Sequence, residues 1–140
     1  MRWVVFAGIL LLSGCTRPLF GGAVEEAAVG VSQDVPAPRG PVYERAYRWL
    51  QGPSDYRIVQ SVTNESIRAE HILGNGGVNV IYATFSGGNL TTRVAVDAWT
   101  DIVGDGGRRR SEIYDGRLPL EVDAFLANLS CPVARWEDCP

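Results

Sequence analysis

Three glycine-rich clusters punctuate the middle of this chain, and they constrain its fold more than any other feature. They are Gly74-Asn75-Gly76-Gly77, Ser86-Gly87-Gly88-Asn89 and Gly104-Asp105-Gly106-Gly107. Glycine and asparagine supply the positive φ values that tight hairpins need. The segments around these clusters read as strands. Residues 56–62 (YRIVQSV) are rich in β-branched and aromatic side chains, and residues 78–85 read VNVIYATF. Residues 91–103 place Val94, Val96, Ala98 and Ile102 on one face and Arg93, Asp97 and Asp101 on the other, as in a sheet with one wet side. Residues 108–114 form a more polar strand. Strands joined in succession by tight turns make an antiparallel meander.

Residues 66–73 fit two descriptions. Asn64 suits the cap of a short helix ended by Gly74, whereas Ile67, Ala69, His71 and Leu73 alternate as in a strand. The neighbouring strands and turns favour the strand. Two helices flank the meander. In residues 41–51, Pro41 falls in the first turn, where its missing N–H costs nothing, and Tyr43, Ala46, Tyr47 and Leu50 share one face. Gly52-Pro53 ends that helix. In residues 119–129, Leu118, Val122, Phe125, Leu126 and Leu129 make a single stripe. The predicted class is α+β: a meander of four or five strands with an N-terminal and a C-terminal helix packed on one face.

The chain has 140 residues, enough for one domain. Its net charge of -3 argues against nucleic acid as a partner, because phosphate binding needs a basic face. All 13 basic residues are Arg, a preference that holds at every site and reads as codon bias.

The amino terminus carries the most specific functional signal. Arg2 precedes an apolar run over residues 3–12, too short to cross a bilayer and suited to the hydrophobic region of a secretory leader. Ser13, Gly14 and Cys15 follow. Leu12-Ser13-Gly14-Cys15 resembles the lipobox of bacterial lipoproteins. The resemblance implies that residues 1–14 are a cleaved signal peptide and that Cys15 carries a diacylglycerol on its sulfur. Further acylation of the new amino terminus would complete a stable anchor. Thr16, in place of the Asp that commonly retains such proteins in the inner membrane, implies the outer membrane, facing the periplasm. The alternative is an ordinary secretory signal whose first Cys enters a disulfide.

Residues 15–40 then read as the lipidated Cys and a flexible tether, closed by Pro36, Pro38 and Pro41 and spanning about 25–30 Å. The body is predicted over residues 41–140. Its remaining cysteines, Cys131 and Cys139, form an even pair in an exported chain and read as a disulfide closing a C-terminal loop. A metal or redox site and a bond to a partner chain are the alternatives. The topology is loosely similar to the helix-grip lipoproteins of outer-membrane assembly, which is an analogy; no family is identified for the body.

No catalytic constellation stands out. His71 is the only imidazole, with no partner at a recognisable spacing, and reads as a strand histidine of no special role. Phe85-Ser86-Gly87-Gly88 lacks the first glycine of a nucleophile elbow. Asp97, Asp101 and Asp105 do not follow the spacing of a calcium loop and read as turn and solvent-facing acids. The triplets at Asn64, Asn89 and Asn128 match N-glycosylation sites by chance. The run Arg108-Arg109-Arg110 is either an anion contact, since guanidinium forks suit phosphate and carboxylate, or a solvated strand edge.

The expectation is therefore a non-enzymatic, membrane-anchored envelope lipoprotein. It would have no cofactor and no metal, and it would serve as an interaction or assembly module for another envelope component. The alternative is a small-ligand or lipid-binding lipoprotein with a pocket lined by Trp49, Trp99 and Tyr82. An enzyme, the third reading, would need a polar cleft holding the lone His.

Overall fold

The computed structural model describes residues 28–131. Eight elements run in order: β1 (Val29–Val35), α1 (Arg39–Gln51), β2 (Arg57–Val62), β3 (Ser66–Ile72), β4 (Gly77–Gly87), β5 (Thr92–Gly104), β6 (Gly107–Arg110) and α2 (Leu118–Ser130). The class is α+β: a six-stranded antiparallel sheet with two helices.

Strands β2 to β6 are the meander, each hydrogen-bonded to the next. Each of the three glycine clusters contributes one positive φ, at Gly76, Gly87 and Gly107. The first hairpin turns instead at Asn64, with φ of 61°, so Asn64 supplies a left-handed turn residue and not a helix cap. Residues 66–72 are strand, with Ile67 and Ala69 fully buried.

The sheet order is β1-β5-β4-β3-β2, with β6 paired beside β1 on the same edge of β5. Since β1 and β2 lie at opposite edges, α1 must cross the sheet to join them. Its stripe is Val42, Tyr43, Ala46 and Leu50, all buried, and α2 adds Leu118, Val122, Phe125, Leu126 and Leu129. These side chains share one core with Ile67, Ala69, Ile81, Ala83, Phe85, Val94, Val96 and Ala98, alternate residues of the central strands. Gly52 ends α1 with its N–H on the Arg48 carbonyl at 2.9 Å.

Two expectations are corrected. The tether predicted over residues 15–40 does not extend to Pro41: Val29–Val35 is a strand paired with β5, and Val35 is buried. The cause is backbone pairing. An edge strand needs one hydrogen-bonded side and little apolar surface, so its sequence carries no obvious period. The body therefore begins near Val29. At the end of β5 the two faces hold as predicted, with Ile102 on that of Val94, Val96 and Ala98, but their burial inverts: Asp101 is buried on the face expected to be wet, and Ile102 is exposed. Arg108 explains the first of these. Its Nε donates to Asp101 Oδ2 at 2.7 Å, and a paired carboxylate can be buried where a lone one cannot.

Candidate functional site

At one end of the sheet the helix-facing side turns from apolar to polar. Asn79 of β4 is fully buried and stands opposite Thr100 of β5. Thr100 Oγ1 donates to Asn79 Oδ1 at 2.8 Å and accepts the Asp115 backbone N–H at 2.7 Å. Polar groups at such positions are costly unless hydrogen-bonded, so this pair marks a built arrangement.

Its centre is Glu121, in the first turn of α2. Asn79 Nδ2 donates to Glu121 Oε2 at 3.3 Å, and the Tyr56 hydroxyl donates to the same oxygen. His71 Nδ1 lies 3.1 Å from Oε1. Glu121 thus gathers donors from the α1–β2 loop, the end of β3 and the start of β4. An ionised carboxylate only accepts, so Nδ1 carries a proton toward Glu121, and in the neutral form of the ring Nε2 is left with a lone pair. Nε2 has no protein partner among the described residues. The Tyr56 ring meets the imidazole edge-on at 5.4 Å. Burial, and then the bond to Glu121, hold the Tyr56 phenol well above its usual range, so it stays protonated.

His71 faces an open cleft of about 330 Å³ between the α1–β2 loop and α2. Trp49, Pro53, Leu120 and Ala124 give it apolar walls; Tyr56, His71, Glu121 and Arg117 give it polar ones. Trp49 is fixed by Phe125 at 5.4 Å. Arg117 pairs with Asp115 at 3.1 Å, and this bond holds the Asp115 carboxyl below its usual range. The arrangement can accept a hydrogen bond or a proton at Nε2, with Glu121 placed to stabilise the imidazolium.

The arginine run is divided. Arg108 donates to Glu70 and Asp101, each at 2.7 Å, and the bond to Glu70 chiefly keeps it protonated. Arg110 stacks over Trp99 at 4.1 Å, with Arg68 at 5.6 Å from the same ring. Arg109 has no partner among the described residues, so the three guanidinium groups do not assemble into one anion fork. This lattice covers Val78 and Val80 on the sheet face away from the helices. Of the predicted pocket residues, Trp49 lines the cleft, while Trp99 and Tyr82 belong to that other face.

Cys131 caps α2, its carbonyl accepting from Arg45 at 3.1 Å. Cys15, the leader and Cys139 lie outside the described residues. Among the described residues no three metal-ligating side chains cluster.

The His71 site was missed in the sequence because Tyr56, Asn79 and Glu121 lie 15, 8 and 50 residues from it, on a loop, a strand and a helix. The one local signal was a polar Asn79 and Thr100 interrupting apolar strands. No family model matches the chain, and comparison with curated proteins and with solved structures finds no match.

Proposed function

We propose that this chain is a lipid-anchored lipoprotein of the bacterial cell envelope, held at Cys15 on the periplasmic face of the outer membrane. Its body is a non-enzymatic binding module that takes a small amphiphilic ligand. The placement is supported by Leu12-Ser13-Gly14-Cys15 behind a short apolar leader. The ligand role is carried by one observation: a His71 imidazole, oriented by Glu121, offers Nε2 into a cleft walled by Trp49 and Leu120. A ligand suited to it has an O–H or N–H donor beside an apolar body. The Tyr56 hydroxyl is committed to Glu121 and protonated, which leaves it a positioning group and not a nucleophile. The Cys131–Cys139 disulfide belongs to the same proposal.

Palmitate labelling of the wild type and Cys15→Ala tests the anchor; an unlabelled wild type ends it. Native mass spectrometry of protein released from envelopes tests the ligand. A bound small molecule lost in Trp49→Ala supports the carrier reading, and a bare wild type opposes it.

A second reading is an assembly module for another envelope protein. Strand β2 favours it, being an edge with Val59 and Val62 exposed.

A further inference from the structure

The exposed apolar side chains are unevenly placed. Nine large ones are exposed among the described residues. Five of them, Ile72, Ile102, Val103, Ile113 and Leu120, sit at one end of the sheet. Register fixes this. Ile72 pairs with Val78 at the start of β4, and Ile102 pairs with Gly77. Ile102 and Ile113 line a common hollow with Leu73 and Tyr114, and Leu120 borders the His71 cleft. Exposures run from 39% at Ile102 to 69% at Leu120. The opposite end offers Leu90 and Val62.

The chain enters the sheet midway along β5, coming from the side of this end. Val29 pairs with Ala98, and β1 then runs away toward Thr92. The next residues along β5, Asp101 to Gly104, pair with β6. The amino-terminal side of the body therefore lies beside Arg110 and Ser111, where the chain leaves the β5–β6 hairpin that bears Ile102 and Val103.

Because β1 takes up part of the predicted tether, only residues 16–28 separate Cys15 from the sheet. Thirteen residues reach at most about 45 Å. A domain of this size has a radius of gyration of about 13 Å, so the linker is comparable to the body it holds. The anchor would thus hold the body within that reach of the bilayer, with the side from which the chain enters toward it.

We infer that this apolar rim is a bilayer-contact surface, seating Ile102, Val103 and Ile113 in the lipid headgroup region. The inference rests on the Cys15 anchor proposed above. No helix among the described residues is long and apolar enough to cross a membrane. The rim also carries exposed Arg109, Asp105 and Glu112, charges of both signs, so the contact is apolar and not selective for anionic lipid. It turns the mouth of the His71 cleft toward the membrane, where an amphiphilic ligand would be presented.

The test is amide hydrogen exchange on the lipidated full-length protein in vesicles of phosphatidylethanolamine and phosphatidylglycerol, compared with the soluble Cys15→Ser chain. We expect exchange to slow several-fold at residues 104–107 and 112–115 and to stay unchanged at residues 88–91. Ile102→Asp with Val103→Asp should remove the protection while leaving palmitate labelling intact. A labelled, vesicle-bound protein whose two ends exchange as in solution overturns the rim contact and leaves the anchor standing. An unlabelled protein that stays in the supernatant overturns the anchor, and the rim contact with it. Protection seen in native envelopes but absent from pure lipid vesicles assigns the rim to a protein partner and overturns the bilayer.

Discussion

His71 Nδ1 and Glu121 Oε1 stand 3.1 Å apart across 50 residues of sequence, tying the end of β3 to the first turn of α2. The bond orients the imidazole in the wall of the cleft that both residues line. Glu121 also holds the Tyr56 hydroxyl and Asn79, so it is the more consequential member of the pair.

Glu121→Ala should therefore destabilise the fold more than His71→Ala. Removing the carboxylate strands the donors of buried Tyr56 and Asn79, at about 1–3 kcal/mol for each left without an acceptor. Removing the half-buried imidazole leaves Glu121 two donors and should cost about 0.5–1.5 kcal/mol. Urea denaturation of the two variants checks the order, and equal midpoints would show that Glu121 does not organise the cluster.

The Tyr56 phenol gives the alkaline limb of stability a defined sign. An unfolded phenol titrates near 10, and the folded one, desolvated and bonded to Glu121, titrates higher. The native state thus binds that proton more tightly. The contribution is whole below pH of about 10 and fades as pH rises above it. Tyr56→Phe should flatten the loss of stability on that limb. Phenolate absorbance should show Tyr56 ionising only with unfolding.

Arg108 and Arg109 are adjacent and identical in type, yet should differ in effect. Arg108→Ala leaves Asp101 and Glu70, with side chains 8% and 12% exposed, without their main cation. The expected cost is about 1–3 kcal/mol, reduced from the fully buried case because Arg108 is itself a third exposed. Arg109→Ala should lie within about 0.5 kcal/mol of wild type. Thermal unfolding of both variants checks the contrast. The run was legible as charge, but its division was not. Which arginine meets Glu70 depends on two strand registers, and sequence fixes neither.

The meander was legible because β3 to β6 carry a repeating burial pattern or a glycine turn, and β2 a run of β-branched side chains. Strand β1 escaped notice for a physical reason. In VGVSQDV only Val35 is buried, and the strand is held by backbone pairing to β5 and by a Gln33–Ser130 contact to α2. Val35→Ala discriminates strand from tether. It should cost about 1–3 kcal/mol if β1 belongs to the body, and almost nothing in a tether. Equilibrium unfolding of the full chain reads the difference.

Gly87 and Gly88 were equivalent in the sequence, both marking a turn. The backbone separates them. Gly87 has φ of 121°, and a Cβ there would meet the Thr91 carbonyl oxygen at 2.5 Å, closer than carbon and oxygen pack. Gly88 has open space around it. Gly87→Ala therefore combines a left-handed strain with a backbone clash, and should destabilise by about 1–3 kcal/mol. Gly88→Ala should be neutral or slightly stabilising, since it narrows the unfolded ensemble without meeting a neighbour. Comparing the melting temperatures of the two variants tests the β4–β5 turn directly. A Gly87→Ala protein as stable as wild type would mean that the turn rearranges, and the register Gly87↔Thr92 with it.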